Sequence, residues 1–167
     1  MSTRPGFFCI FFLFAVLFAC RDGERNRPHG ISSGKVVKVV DGDTYDLLTP
    51  NSRRIRIRIQ GIDAPERGQP YYKISRDFLR QLCLQKDVRI RVVDKDRYGR
   101  TVAETFLGDS SVAQQMVRNG FAWHYRKYSN DRTLSRLESE ARTARRGLWS
   151  QPNPVPPWEM KVRRVRQ

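Results

Sequence analysis

Acidic residues are scarce in this sequence of 167 residues, with 17 Asp and Glu against 32 Lys and Arg, so the formal net charge is +15. This imbalance excludes a neutral, self-contained soluble module and favours a polyanionic partner, which would be nucleic acid, an anionic membrane, or both. The chain is still 39 % hydrophobic, which is enough apolar material to bury a core. A wholly disordered basic tail is therefore excluded as well.

Long hydrophobic runs are also lacking. The longest apolar run, from Phe7 to Cys20, follows Arg4 and is shorter than the roughly 20 residues that a membrane-spanning helix needs. A cationic residue followed by an apolar run of this length is typical of a secretory signal peptide. We therefore expect residues 1–19 to be a signal peptide that directs secretion across a bacterial inner membrane.

The end of this run, Leu17-Phe18-Ala19-Cys20, resembles the lipobox of bacterial lipoproteins. The resemblance implies cleavage before Cys20, a lipid on its thiol, and attachment to a membrane of the cell envelope. Two alternatives remain open at this point. One is a plain secretory signal cleaved nearby, which would give a soluble periplasmic or extracellular protein, and the other is an uncleaved N-terminal anchor.

Cysteine and histidine are too few for a zinc site or a disulfide framework, since the chain has three cysteines and two histidines. Cys9 would leave with the signal peptide and Cys20 would hold lipid, so Cys83 would have no partner for an intramolecular disulfide. Cys83 falls on an apolar helical stripe, where we expect a small buried hydrophobe. We expect His124 to be a structural or surface residue.

Composition divides the rest of the chain into three parts. Residues 20–33 are polar and aperiodic, as expected of a flexible tether. Residues 151–167 are rich in proline and then in Lys and Arg, as expected of an extended basic tail. Between them, residues 34–150 switch between the two-residue period of strands and helical spacing, which predicts one folded domain.

The periodicity of this domain predicts three strands, a helix, two strands and two helices. The third strand alternates isoleucine with arginine, so one of its sides is buried and the other presents guanidinium groups. Ser111 and Asp131 stand where they would cap the last two helices. The whole predicts an α+β fold, a five-stranded OB-type barrel with three α-helices. The predicted strands are residues 35–40, 44–48, 53–62, 88–92 and 101–107, and the helices are residues 71–85, 112–119 and one that begins after 131.

Two short clusters of acids are informative in so basic a chain. The segment Asp41-Gly42-Asp43 places two carboxylates at a tight turn, and Asp63-Ala64-Pro65-Glu66 places two more at the end of the alternating strand. If those strands are neighbours, all four acids meet at one rim of the barrel, where carboxylate and carbonyl oxygens would suit Ca²⁺ or Mg²⁺. Each cluster taken alone is also compatible with an ordinary turn or loop.

Arginines accompany both acid clusters. Arg58 precedes Asp63 on the polar side of the third strand, and Arg100 closes the turn Asp96-Arg97-Tyr98-Gly99-Arg100. Planar guanidinium groups bind phosphoryl oxygens two at a time, and a carboxylate can activate an attacking water. The combination of acids and arginines indicates chemistry on a phosphate ester.

Four segments, in this order and spacing, resemble the staphylococcal nuclease (thermonuclease) family. Together they span essentially all of residues 34–150, so the resemblance covers the whole predicted domain. The segments are Val39–Thr44, Arg58–Glu66, Asp96–Arg100 and Gly147–Ser150.

The resemblance implies a role for each matched residue. Asp43, Asp63 and the backbone oxygen of Ala64 would bind Ca²⁺, with Asp41 supporting the site, and Glu66 would be the general base. The remaining positions are expected to contact the substrate. Arg58 and Arg100 would be catalytic residues that bind phosphate, and Arg97, Tyr98 and Tyr125 would bind other parts of the substrate.

The activity that the resemblance implies is Ca²⁺-dependent endonucleolytic cleavage of DNA and RNA, single-stranded or as frayed duplex. It would show little sequence specificity, leave 3′-phosphate ends and require only a monomer. One alternative is a nuclease-like OB module that binds nucleic acid without cutting it, and another is a basic structural lipoprotein. The acids disfavour the binding module, because without a metal they would repel phosphate. The structural lipoprotein leaves the set of acids and arginines unexplained.

Overall fold

The computed structural model of this protein describes residues 31–160. The predicted signal peptide, the lipidation site Cys20, residues 20–30 of the tether and residues 161–167 of the basic tail lie outside the described residues. Within residues 31–160, no helix is long and apolar enough to cross a membrane.

The described chain folds into short strands and helices in an order close to the predicted one. The three α-helices confirm the predicted helices, and a 3₁₀ helix and a helical turn at residues 157–160 are additional. In chain order the elements are β1 (Ile31–Val39), β2 (Thr44–Leu48), β3 (Arg54–Ile59), β4 (Ile62–Asp63), α1 (Tyr72–Cys83), β5 (Asp87–Lys95), β6 (Thr101–Leu107), β7 (Ser110–Ser111), α2 (Val112–Arg118), β8 (Trp123–His124), α3 (Arg132–Thr143) and the 3₁₀ helix (Gly147–Ser150).

Five of the strands close into a barrel, which confirms the predicted OB-type α+β fold. The strand order is β3-β2-β1-β5-β6, and β3 and β6 close the ring by parallel pairing, with Ile57 opposite Thr101. All the other pairs in the barrel are antiparallel. Closure leaves the barrel strands without a free sheet edge, which suits a small domain exposed to solvent.

The long alternating strand predicted over residues 53–62 is interrupted in the structure. It ends as β3 at Ile59, the chain turns at Gly61 with a φ of 79°, and β4 then pairs with β8 in a separate two-stranded sheet. This positive φ favours glycine, since a residue with a Cβ would be strained there. There is also no space for a Cβ, which would lie 3.1 Å from atoms of Ser129 and Leu134. The turn moves Asp63 out of the barrel wall and onto its rim.

The isoleucine side of β3 packs into the core as predicted. Ile57 and Ile59 are almost fully buried, and helix α1 covers one end of the barrel with Leu79 and Cys83, both buried. Cys83 is a free thiol inside this core, as expected of a small buried hydrophobe. Burial raises its pKa to about 11, so the thiol is inert near neutral pH.

Both predicted helix caps are present. The Ser111 side chain accepts a hydrogen bond from the Gln114 amide at 3.4 Å, and the Asp131 carboxylate accepts one from the Thr133 amide at 2.7 Å. These side chains satisfy amide donors that the first turn of each helix leaves unpaired. They therefore fix where α2 and α3 begin.

The folded region is longer at both ends than residues 34–150. Strand β1 begins at Ile31, and residues 151–160 continue along the domain instead of extending away from it. Pro157 is buried, and the Val155 carbonyl accepts a hydrogen bond from Gln69 at 3.0 Å. Trp158 packs against Trp123, with ring centroids 6.5 Å apart. We call residues 151–160 the C-terminal segment.

The contribution of α1 to the core can be tested with two apolar residues of the same helix. Leu79→Ala should lower the free energy of unfolding by about 2–5 kcal/mol, because Leu79 is fully buried. Ile74→Ala should change it by less than about 0.5 kcal/mol, because Ile74 is 50 % exposed. Urea denaturation measures both, and equal losses would contradict the packing described for α1.

Candidate active site

The site begins at the turn between β1 and β2. The Asp41 carboxylate accepts a hydrogen bond from the Asp43 amide at 3.1 Å, which folds the turn tightly. Asp43 is consequently directed inward and is only 6 % exposed. Its carboxylate accepts hydrogen bonds from the Ala64 amide at 2.7 Å and from the Thr44 hydroxyl at 3.0 Å. The first acid cluster is therefore held directly against the second.

Gly42 permits this contact, because no side chain fits between the turn and its neighbours. A Cβ at this position would lie 2.0 Å from Ser75 Oγ and 2.7 Å from Ala64 Cβ. Ser75 in turn donates a hydrogen bond to the Phe121 carbonyl at 2.7 Å. Glycine is therefore required between the two acids for packing against helix α1 as well as for the turn.

Arg58 lies between the two acid clusters. Its side chain is only 12 % exposed, with Nη2 2.8 Å from Asp63 Oδ1 and Nε 3.3 Å from Asp43 Oδ1. Nη1 donates to the Ile59 carbonyl at 2.8 Å, which fixes the plane of the guanidinium. Burial acts to lower the pKa of Arg58, but the surrounding carboxylates, Glu66 among them, outweigh it and raise the pKa. Arg58 is therefore cationic and held rigidly among acids.

Arg100 is brought to the same rim by the turn between β5 and β6. Asp96 holds the Arg100 guanidinium, with 2.7 Å between Oδ2 and Nε, and also accepts its backbone amide at 2.9 Å. Arg100 Nη1 reaches the Thr44 hydroxyl at 3.4 Å, and that hydroxyl donates to Asp43. Burial acts to raise the pKa of Asp96, but the bonds to Arg100 outweigh it and lower the pKa.

Glu66 lies on the loop that follows β4, and its backbone is fixed by Gln69. Gln69 Oε1 accepts the Glu66 amide at 2.7 Å, and the Gln69 amide returns a hydrogen bond to the Glu66 carbonyl at 2.8 Å. The other end of the Gln69 side chain donates to Val155 of the C-terminal segment. Gln69, only 8 % exposed, thus connects the loop bearing Glu66 to the end of the described chain.

Asp41 differs electrostatically from the other acids. Burial, and then repulsion by the neighbouring Asp43 carboxylate, raise the pKa of Asp41 to about 7. Two carboxylates this close resist being ionised together, so a cation near them is favoured.

The donors at this rim fit a hard divalent cation. Asp43 and Asp63 offer buried carboxylate oxygens that converge on one cation, the Arg58 guanidinium, and oxygen donors of this kind suit a hard divalent cation. Within residues 31–160, no three His, Cys, Asp or Glu side chains are grouped as metal ligands. The remaining coordination positions would therefore belong to carbonyl oxygens, water or substrate.

The predicted substrate-binding residues are more dispersed. Tyr98 is 70 % exposed, and the guanidinium carbons of Arg97 and Arg100 lie 4.9 and 5.6 Å from its ring centroid. Arg97 and Tyr98 are therefore exposed beside the rim, next to the half-buried Arg100. Tyr125 lies apart from them, after β8, where its ring stacks on Trp158.

His124 is buried and structural. Its ring nitrogens lie 3.2 Å from Ser129 Oγ and 3.1 Å from Ser135 Oγ, and its backbone amide donates to Glu138 at 3.1 Å. Burial lowers the pKa of His124 despite the nearby Glu138 carboxylate, so the ring is neutral near pH 7. It joins β8 to helix α3.

Three residues at or near the site have no role in the sequence analysis: Thr44, Gln69 and Trp158. Thr44 directly follows the Asp-Gly-Asp turn, so its position next to the acids could have indicated that it belongs to the site. Gln69 and Trp158 had no such signal, since their contacts join parts of the chain that are remote in sequence.

A barrel whose rim combines buried carboxylates with two fixed arginines defines an enzyme that acts on phosphate esters. Comparison with known proteins identifies the family: residues 56–151 match the model described as "Staphylococcal nuclease homologue". The chain belongs to this family, and it is a hydrolytic nuclease.

Curated relatives support this membership over most of the chain. The chain is 42 % identical over 132 residues to an "Uncharacterized endonuclease" of Escherichia coli O157:H7, covering 78 % of this chain and 86 % of that protein. It is 38 % identical over 139 residues to the "Micrococcal nuclease" of Shigella flexneri, covering 77 % and 79 %. A further "Uncharacterized endonuclease", from Haemophilus influenzae, is 37 % identical over 145 residues, covering 87 % and 78 %.

The connection through Gln69 can be tested by replacing its amide with an apolar group of similar size. Gln69→Leu should lower kcat more than it changes KM, because the Glu66 loop loses a backbone acceptor while Arg58 and Arg100 keep their contacts. It should also expose the C-terminal segment to limited proteolysis, because Val155 loses its donor. Gln81→Leu, on the exposed side of α1, is the control. An unchanged kcat with a protease-resistant segment would contradict the connection.

Proposed function

We propose that this chain is a Ca²⁺-dependent endonuclease that cleaves DNA and RNA with little sequence specificity and leaves 3′-phosphate ends. The observation that supports it most directly is the buried arrangement of Arg58 between Asp43 and Asp63, with Arg100 linked to Asp43 through Thr44. A module that only binds nucleic acid needs cations on its surface. It has no use for two buried acids that repel phosphate.

Each residue of the site has a distinct task in this proposal. Arg58 and Arg100 bind the phosphoryl oxygens, whose negative charge increases in the transition state. The Glu66 carboxylate takes a proton from a water molecule that attacks the phosphorus atom. The bond from phosphorus to the 5′ oxygen then breaks, that oxygen gains a proton, and the phosphate stays on the 3′ oxygen.

Asp43, Asp63 and the Ala64 carbonyl are the groups that would hold Ca²⁺, with Asp41 in support. When bound, the cation would polarise the phosphoryl group. Because Arg58 already touches both carboxylates, the same acids position the arginine that binds phosphate.

We expect little sequence specificity because the proposed contacts with nucleic acid are made by arginines. Guanidinium groups recognise the phosphate backbone, which is the same in every sequence. A single copy of the chain contains all of the proposed site residues, so we propose that it acts as a monomer.

For the location of the protein we propose secretion across the inner membrane of a bacterium and anchoring in the cell envelope by a lipid on Cys20. The support is the apolar run that ends in Leu17-Phe18-Ala19-Cys20, followed by a polar stretch. Positive charge would then keep the anchored domain close to polyanions outside the cytoplasm.

The catalytic proposal predicts a separation between binding and cleavage. With Ca²⁺, the purified domain should cut single-stranded DNA and RNA, and excess chelator should stop cleavage. Glu66→Gln should lower kcat by about 10²–10⁴-fold, because the attacking water loses its base. Binding of an uncut oligonucleotide in chelator should persist in this variant.

Glu140→Gln serves as the control, because Glu140 is an exposed acid of α3 paired with Arg136. It should cleave like the wild type. Chelator-resistant cleavage would refute the metal dependence, wild-type turnover of Glu66→Gln would refute the base, and binding without cleavage would favour the non-catalytic module.

The anchor proposal predicts that the expressed wild-type chain incorporates a labelled fatty acid and partitions with membranes. Cys20→Ser should abolish both, because the thiol that accepts the lipid is absent, whereas Cys9→Ser should change neither. Metabolic labelling followed by detergent phase separation measures this. An unlabelled wild type found in the soluble fraction would indicate a plain secretory signal instead.

A further inference from the structure

The C-terminal segment builds an aromatic stack on the end of β8. The indole of Trp158 lies parallel to the Tyr125 ring, with centroids 5.0 Å apart and an interplanar angle of 1°. Tyr128 meets Tyr125 edge-on at 4.9 Å, and Trp123 meets Trp158 in the same manner at 6.5 Å. Trp158 is only half-buried, so part of its surface remains in contact with solvent.

A cavity of about 520 Å³ opens beside this stack. Its volume is in the range of about 300–1,000 Å³ that is typical of small-ligand sites. Tyr125 and Trp158 supply aromatic surface, and the cationic groups in the lining belong to Arg126, Lys127 and Arg142.

The charge of this cavity favours an anion. Glu138 is the acid in its lining, and its carboxylate lies 3.4 Å from both the Arg126 and the Arg142 guanidinium groups. His124, also in the lining, is neutral near pH 7. Three cations against one acid leave the cavity positive, which excludes a cationic ligand such as a quaternary ammonium, even though aromatic walls would suit it.

The position of the cavity relates it to the candidate active site. Strand β8 pairs with β4, so that Trp123 lies opposite Asp63, and the Tyr125 amide donates to the Gly61 carbonyl at 2.9 Å. The acids of the rim and the residues of the cavity therefore flank the same two-stranded sheet. The cavity is therefore one strand away from Asp63 in this sheet.

We propose that this cavity is a second nucleotide-binding subsite, which holds a base and a phosphate of a single strand at a distance from the bond that is cut. The base stacks on Trp158, and the phosphate is bound by Arg126, Lys127 and Arg142. Stacking of this kind accepts any base, since every base has an aromatic face. The proposal deepens the proposed nuclease function and rests on it for the identity of the ligand.

Trp158 is central to the subsite because it is the aromatic group that the C-terminal segment contributes. Its contacts with Tyr125 and Trp123 hold the indole in place.

The test compares strands of two lengths in chelator, so that binding is measured without cleavage. One dye-labelled oligothymidylate is just long enough to cross the scissile position, and the other is long enough to reach the cavity. Fluorescence anisotropy of the wild type should give tighter binding of the long strand. Trp158→Ala should weaken binding of the long strand roughly tenfold or more and leave the short strand unchanged.

Two further variants separate stacking from structural support. Trp158→Phe should retain most of the affinity for the long strand, because an aromatic face remains. Phe106→Ala is the control, because it removes another aromatic ring that has an arginine above it, on β6 and outside the core. It should change the affinity for neither the long nor the short strand. Lys127→Gln should reduce the slope of log affinity against log salt concentration for the long strand by about one, because one phosphate contact is lost. Lys73 is an exposed lysine of α1, and Lys73→Gln should leave this slope unchanged.

Several outcomes would overturn the subsite. Equal binding of the two lengths by the wild type would exclude it, and so would Trp158→Ala weakening both strands alike, which would assign Trp158 a purely structural role. Tighter binding by Trp158→Ala would mean that the indole obstructs the strand. If the wild type shows the length effect in chelator but cleaves nothing in Ca²⁺, the subsite stands and the proposed nuclease function fails.

Discussion

The contact between Arg58 and two buried acids is the constraint on which the rest of this structure depends. Asp43 adjoins Arg58 because β2 pairs with β3, where Thr44 stands opposite Arg58, and the turn at Gly61 then returns Asp63 to the same guanidinium. Ionised groups removed from water are costly unless they are paired, so loss of any one of the three would leave buried charge with less compensation. Closure of the barrel by β3 and β6 then brings Arg100 to this contact.

The surrounding residues can be understood as supports for this contact. Gly42 allows the turn bearing Asp43 to approach Ala64, Gly61 turns the chain so that Asp63 reaches the rim, and Thr44 extends the network to Arg100. None of these supports needs to touch substrate. They give three charged groups one fixed arrangement, which is what preorganised electrostatic catalysis requires.

Much of the fold was predictable because its signals are local. The alternation of Ile57 and Ile59 with arginines, and the capping positions of Ser111 and Asp131, are properties of a few neighbouring residues, and the structure confirms them. The clustering of acids near Arg58 was also visible, since the motifs are short. Their precise contacts were not, because they depend on which strands become neighbours in the closed barrel.

What the sequence did not reveal depends on residues far apart in the chain. Gln69 and Val155 form a hydrogen bond across most of the domain, and Trp158 finds Tyr125 in the same way. A proline-rich, basic stretch has the composition of an extended tail, so its packing could not be anticipated from residue types alone. The break of the third strand at Gly61 did leave a local sign, since Ile62 stands one position out of phase with Ile55, Ile57 and Ile59.

Net charge also proved less specific than the pairing of individual charges. Arg56 is held by the buried Asp46 at 2.8 Å, Arg136 by Glu140, and Arg89 by Asp109, so these cations already have protein partners. Arg126 and Arg142, in the lining of the cavity beside Trp158, share the single buried carboxylate of Glu138. An excess of positive charge therefore indicates the kind of ligand, while local imbalance between cations and acids indicates where the ligand binds.

The bond between Gln69 and Val155 also has a consequence for the order in which the molecule is completed. A ribosome makes Val155 after every residue of the barrel. The loop that holds Glu66 therefore receives this support only after all five strands of the barrel have been made. A chain that stops at the end of the barrel would contain every proposed catalytic residue and still lack the group that closes the loop.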